Sequence, residues 1–531
     1  MVTVVGPGRG MRLAQDRPGE TMSQYERTIR SVVVVGGGTA GWMAASAIVR
    51  AFEEPGGLKG PTITVVESEA IGTVGVGEAT IPTIRNFIRT IGLDEADFMR
   101  STAATIKLGI AFNDWSGPGS RYFHGFGDFG PAVRGQPYRQ HLFRLQAEGR
   151  IDSLAPWSLP TVMARAGRFA PPVDDPRSVL SAYAYAYHFD AGLFARRLRA
   201  LAEDNGVVRI EGRIVESEVS GERVAAVRLE DGRRLEADLF IDCSGFRGLL
   251  IEGALKAGYD DWTRWLPCDR AVALPCAIAG PSGPYTSATA MTAGWRWRIP
   301  LQHRVGNGYV YSSAFIDDQT ALDHLVQDLE SPPAAEPNRL RFVTGRRRSA
   351  WKGNVVSIGL ASGFLEPLES TSINLIQTGI GRLLDLFPDR DFDPTLIAEY
   401  NRRTAREVEA VRDFIIAHYH LADRTDGALW HHCRETAPPD TLADRLELFR
   451  ARGEISLRED ESFREDSWAA VLTGLNVWPR RVSPLVDRLD PDRVEAQARR
   501  LADLIGRAAA SLPDHQAYLA GRQMNPTEPA R

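Results

Sequence analysis

The sequence predicts an α/β protein, and three observations predict it. A β-branched run, Ser31-Val-Val-Val-Val35, stops at glycine, and the small residues from Thr39 to Val49 suit a buried helix. A second such run, Thr62-Ile-Thr-Val-Val-Glu67, follows a Gly/Pro-rich connection. Strand, tight turn, helix and strand make a βαβ unit, which builds a parallel sheet.

The remaining elements follow in chain order. His188 to Glu203 predicts a helix, Val207 to Ile214 and Val224 to Leu229 predict strands, and Ala237 to Cys243 is an apolar strand running into Gly245. Aromatic and β-branched residues around Trp295, Trp297, Tyr309 and Tyr311 predict an antiparallel sheet over residues 270–316, suited to a substrate region. From residue 373 onward helical periodicity dominates, through Ile380 to Phe387, Leu396 to His418 and Arg493 to Ala509. The expected organisation is a disordered extension at 1–28, with Met22 as an alternative start, a core at 29–420 and a helical C-terminal subdomain at 421–531.

Composition narrows the partners. The 531 residues are 43% hydrophobic and 25% charged with a net charge of −5, and both signs are scattered, so nothing points to nucleic acid. No stretch reaches the roughly 18 apolar residues of a membrane helix, and a cytoplasmic protein is expected. Cys243, Cys268, Cys276 and Cys433 form no CxxC pair and no His cluster has metal spacing, so no metal is expected.

Gly36-Gly-Gly38-Thr-Ala-Gly41 places G-x-G-x-x-G between a strand and a helix, where glycines let backbone approach a pyrophosphate at the helix N-terminus. Glu67 ends the next strand, where a carboxylate accepts from ribose hydroxyls; an ordinary surface glutamate is the alternative. The late strand Asp238-Leu-Phe-Ile-Asp242-Cys-Ser-Gly245 resembles the nucleotide-contacting strand of FAD-dependent monooxygenase folds, favouring FAD over NAD. The fold class is therefore an FAD-binding, Rossmann-like α/β fold of the flavin monooxygenase type. A merely structural strand is the alternative.

Other motifs carry two readings on their residues alone. Trp295 and Trp297 alternate along a strand and share a face, where the rings either wall off a ligand or fill a core. Lys107 lies among Ile106, Leu108, Ile110 and Phe112, so its ammonium either snorkels outward or sits in a pocket that depresses its pKa. Glu369, in Pro367-Leu-Glu-Ser-Thr-Ser-Ile373, lies on a loop entering a helix, where a cap and an anion site look alike.

Gly294-Trp-Arg-Trp-Arg-Ile-Pro300 resembles the W-x-W-x-I-P signature of flavin-dependent tryptophan halogenases, and the resemblance runs from residue 31 to 420. It extends through Gly75–Pro82, Thr105–Phe112, His188–Asp190, Asp242–Gly248, Gly308–Ser313 and Glu366–Thr371. The resemblance implies catalysis by Lys107 and Glu369 and a halide site at the amides of Thr371 and Ser372. It implies a substrate ring stacked by His124 and Phe126, and a wall of Trp295 and Trp297 between substrate and flavin. The implied FAD site comprises Gly36, Gly38, Thr39, Ala40, Gly41, Glu67, Gly77, Glu78, Ala79, Ile214, Gly359, Leu360 and Ile373.

Two departures stand out. Ser372 replaces the family's usual glycine, which leaves chloride or bromide open. Ser462-Phe-Arg-Glu-Asp-Ser-Trp468 only partly matches the segment that grips free tryptophan, and Gly453-Glu-Ile-Ser-Leu457 stands where a tyrosine pair is usual. The implied substrate is thus an electron-rich, indole-like aromatic other than free tryptophan. One dinucleotide fingerprint implies that a separate flavin reductase supplies FADH2. An FAD-dependent aromatic hydroxylase and a non-catalytic flavin-binding protein are the rival readings. Oligomeric state is left open, a homodimer being one alternative.

Overall fold

The computed structural model describes residues 27–53, 60–69 and 77–524. The expected disordered extension lies outside these residues up to position 26, as do Gly75 and Val76.

The strand Ser31–Val35 sits inside a six-stranded sheet, parallel to Thr62–Glu67 on one side and Leu239–Asp242 on the other. Val208–Glu211 extends it beyond the first and Val355–Ser357 beyond the second, both parallel. Trp351–Lys352 closes that edge antiparallel. Burial of Val32 to Val35 explains the unbroken β-branched run, since strands covered on both faces need no polar alternation.

Two expected elements differ. His188 to Asp190 belong to the strand Ala186–Asp190, and the helix begins at Ala191, where Asp190 accepts from the Leu193 amide at 3.0 Å. The run Tyr185, Tyr187, Phe189 is the period-two signal that a helical reading overrides, and Asp190 is the boundary. The strand expected over Val207 to Ile214 is two strands, Val208–Glu211 in the parallel sheet and Ile214–Ser220 in an antiparallel three-stranded sheet. Gly212 and Arg213 turn the chain between them.

The predicted antiparallel region is a seven-stranded sheet that reaches beyond residues 270–316. Its outer strands include Gly109–Asn113 and Arg121–Gly125, and Thr286–Met291 pairs parallel with Gly109–Asn113. That pairing spans more than 170 residues of chain, which local patterning does not reveal. A further sheet sets Gly77–Ala79 and Thr105–Lys107 on either side of Ala186–Asp190.

The helices Pro394–His420 and Pro491–Ser511 cover the predicted segments Leu396 to His418 and Arg493 to Ala509, while the segment expected over Ile380 to Phe387 belongs to the helix Ser372–Asp385, which starts earlier and stops two residues sooner. Phe414, Trp430, Leu446 and Trp468 share one apolar core with Phe112, Trp295 and Val310 of the large sheet, so packing continues across residue 420. Among the described residues no helix is long and apolar enough to cross a membrane.

Candidate active site

The glycine loop shapes one end of a cavity of about 420 Å³. Gly36 has φ +109°, and a Cβ there would lie 2.4 Å from the Cys243 carbonyl oxygen. A Cβ on Gly41 would lie 1.8 Å from the Gly36 carbonyl oxygen, so Gly41 packs helix against turn from behind the wall. Gly36, Gly38, Thr39 and Ala40 line the cavity, and Glu67 faces it with its carboxylate held by Trp42, Arg199 and Arg209. Glu78, Ala79, Ile214, Gly359, Leu360 and Ile373 also line it. Gly77 heads the strand carrying Glu78 and Ala79 and pairs with Asp190. A cradle that side chains would fill, at a helix N-terminus opposite a strand-end carboxylate, fits a dinucleotide such as FAD.

At the other end stand Trp295 and Trp297, ring centroids 6.2 Å apart, both buried and both lining the cavity. Gly308 makes room for the second ring: a Cβ there would lie 2.0 Å from its Cζ2. The Trp295 indole donates to Glu366 Oε1 at 3.2 Å, and burial raises the Glu366 carboxyl to about 7.

Lys107 does not snorkel. Its side chain is 0% exposed, and its Nζ donates to the Thr80 carbonyl at 2.9 Å and to Ser370 Oγ at 2.7 Å. Burial lowers its pKa to about 7, against the opposing attraction of Glu369. Phe126 stands 5.2 Å away, ring centroid to Nζ. Ser370 reaches Lys107 from a left-handed turn, φ +60°, that ends the short helix Pro367–Glu369.

Glu369 is equally buried. Its Oε2 lies 2.8 Å from His124 Nδ1 and its Oε1 lies 2.9 Å from His418 Nε2. Burial raises this carboxyl, but the two imidazoles outweigh it and hold the group at about 2. His418 Nδ1 in turn lies 2.7 Å from the Tyr122 hydroxyl. Thr371 caps the helix Ser372–Asp385, and its buried hydroxyl has no partner among the described residues. Ser372, the first residue of that helix, lines the cavity, so the helix's open N–H groups begin where the two sites meet.

The described chain matches the sequence family "Tryptophan halogenase" over residues 31–491. Tryptophan 6-halogenase SttH of Streptomyces toxytricini is 35% identical over 522 residues, covering 92% of this chain and 97% of that protein.

The chain belongs to the tryptophan halogenase family.

Among solved structures this halogenase is similar to BrvH, a flavin-dependent halogenase from Brevundimonas sp. BAL3, at TM-score 0.89 and 48% identity over 93% of this chain and 99% of that one. It is also similar to Xcc4156, a flavin-dependent halogenase from Xanthomonas campestris, at TM-score 0.89 and 43% identity over the same shares.

Sequence reasoning missed His418 and Tyr122 in this halogenase. Both are distant from Glu369 in sequence, and His418 sits on a helical face that reads as core; only its polarity among apolar neighbours hinted at more. The C-terminal segment of the halogenase also joins the site. Phe463 stacks on Phe414 at 4.0 Å and tilts against His124 at 5.8 Å, while Trp468 packs edge-on to Phe414.

Proposed function

We propose that this chain is an FADH2-dependent halogenase that installs chloride or bromide on an electron-rich, indole-like aromatic other than free tryptophan. The carrying observation is a buried lysine that is not ion-paired to the buried glutamate beside it. Lys107 donates to a carbonyl and a hydroxyl, and Glu369 is held by two histidines.

Gly36, Thr39 and Glu67 would hold the dinucleotide, and Trp295 and Trp297 would stand between flavin and substrate. When bound, reduced flavin with oxygen supplies the oxidising equivalent that turns halide into hypohalous acid. The amides of Thr371 and Ser372 would bind halide at the helix N-terminus.

At Lys107 the ammonium polarises hypohalous acid by hydrogen bonding. The carbon–halogen bond forms as the halogen–oxygen bond breaks, and the departing hydroxide takes a proton from Lys107 and leaves as water. The negative charge of Glu369 first stabilises the cationic ring, and the ring proton then passes to this carboxylate; the charge matters more than basicity, because a protonated ring is itself strongly acidic. His124 and Phe126 would flank the ring.

Against free tryptophan stands the engagement of three acidic residues of the C-terminal part. Asp466 pairs with Arg139, Glu461 with Arg445, and Glu454 accepts from Gln140, leaving none of the three free for an ammonium. A separate flavin reductase would supply FADH2 by diffusion.

The test combines the chain with a flavin reductase, halide and a panel of indoles and phenols, followed by mass spectrometry of halogen isotope patterns. Halogenated product is expected from the native chain and none from Lys107→Met, which retains flavin binding. Product from Lys107→Met in the presence of catalase, or rapid NAD(P)H oxidation by the purified chain alone, would overturn this reading.

A further inference from the structure

The cavity wall that carries Trp295 and Trp297 also carries Thr286, the first residue of the strand Thr286–Met291. Its Oγ1 lies 2.9 Å from His188 Nε2. His188 Nδ1 lies 3.0 Å from Thr105 Oγ1, and the Thr105 hydroxyl donates to the Pro300 carbonyl at 2.6 Å. All three side chains are buried.

The direction of every hydrogen in this array follows from its far end. A carbonyl only accepts, and a hydroxyl has one hydrogen, so Thr105 spends its hydrogen on Pro300. The Thr105 oxygen must therefore accept from Nδ1–H of His188. The ring is neutral: burial holds its pKa well below the ordinary histidine value, and the basic groups that act on it, Lys107, His515 and Arg298, all oppose protonation. A neutral imidazole carries a single N–H, so Nε2 is bare and accepts the Thr286 hydrogen. Thr286 consequently spends its hydrogen on His188, which does not line the cavity, and its oxygen keeps only lone pairs for any further partner.

A hydroxyl normally adapts to either kind of partner by rotating. This one is locked, and it can only accept. Two-electron reduction of an isoalloxazine adds hydrogen at ring nitrogen N5, turning that atom from acceptor to donor, whereas the N3–H is present in both states. Resting on the flavin reading above, we propose that Thr286 is a cofactor-contacting residue that favours reduced over oxidised flavin, with His188 as the positioning residue that fixes its polarity. The array would then bias the site toward the incoming reduced cofactor and against the spent one.

The hydrogen bonds of the array involve neither Lys107 nor Glu369. His188 lies on the middle strand of the small sheet, in register with Ala79 on one side and Thr105 on the other, and its ring joins Thr105 to Thr286.

The experiment compares the native chain with Thr286→Val, which keeps the shape and removes the hydroxyl, and Thr286→Ser, which restores it. Affinities for oxidised FAD are measured by fluorescence titration, and the midpoint potential of bound flavin by anaerobic spectroelectrochemistry. Thr286→Val is expected to lower the ratio of reduced to oxidised affinity by about tenfold, the loss of one hydrogen bond, which is a shift of about 30 mV to lower potential. Thr286→Ser is expected to keep the native potential. In the native chain, nitrogen NMR of His188 is expected to show the hydrogen on Nδ1.

Equal weakening of both redox states in Thr286→Val would mark a merely structural threonine and overturn the proposal, as would a hydrogen on Nε2. A native chain that binds no FAD in either state would overturn the flavin reading as well, whereas normal FAD binding with an unchanged potential in Thr286→Val overturns the Thr286 assignment alone.

Discussion

Lys107 and Glu369 illustrate how burial sorts two opposite charges. The same low-dielectric surroundings act on both, yet Lys107 falls to about 7 while Glu369 is held at about 2, because two imidazoles lie against the Glu369 oxygens whereas Lys107 donates only to a carbonyl and a hydroxyl. The signs give a pH dependence. Lys107 is protonated below about 7 and neutral above it, so halogenation by enzyme preloaded with reduced flavin is expected to decline as pH rises through 7. Glu369 stays ionised down to about 2, so its own protonation imposes no fall at pH 4; its stabilising contribution, present above the ordinary carboxylate value, is lost only as pH drops toward 2. Rapid-quench rates from pH 5 to 9 test this, and a profile flat through pH 7 would count against Lys107 as the proton donor. Glu369→Gln removes the charge and keeps the shape, and a fall of roughly 10²- to 10⁴-fold in kcat is expected with little change in flavin affinity. Glu369 and Lys107 were legible as residues only through the motif resemblance, because a lysine among apolar neighbours and a glutamate before a helix each have an ordinary explanation.

At the scale of elements, the glycine loop is the feature that sequence and structure describe in the same terms. Strand, turn and helix are local, and each glycine has a steric reason that depends on near neighbours: positive φ at Gly36 and close packing at Gly41. Gly36→Ala is expected to cost about 1–3 kcal/mol in left-handed backbone strain alone and to weaken FAD binding at least tenfold, because the Cys243 carbonyl has to move. Thermal unfolding and flavin titration measure the two effects separately. The elements misread from sequence are boundaries where one residue changes the periodicity. Asp190 ends a strand and caps a helix in a single position, and Gly212 splits one apparent strand between two sheets. Both signals are present in the sequence, but a capping side chain and a breaking glycine weigh little against a longer apolar pattern until pairing partners are known.

At the scale of the molecule, the site is assembled from the whole length of the chain. His124 comes from the edge strand Arg121–Gly125, Glu369 from a short helix, His418 from the helix Pro394–His420 and Phe463 from the C-terminal segment, and one continuous core holds them together. The ion pairs Arg139–Asp466 and Arg445–Glu461 tie that segment down and neutralise two of its acidic residues, so indole is expected to exceed free tryptophan by at least about tenfold in kcat/KM, the cost of one unmet charged contact. Side-by-side kinetics with the two substrates decide it, and preference for tryptophan would show that the segment rearranges to grip an amino acid. The sequence by itself determined the α/β class, the glycine-rich turn between strand and helix, and the family, because those rest on local periodicity and on short motifs whose chemistry is carried by neighbours in the chain. Only the tertiary structure decided that Lys107 is buried, that His418 and Tyr122 complete the surroundings of Glu369, and that His188 locks Thr286. Desolvation and hydrogen-bond direction are properties of what surrounds a group in space, and here those surroundings come from residues tens to hundreds of positions away.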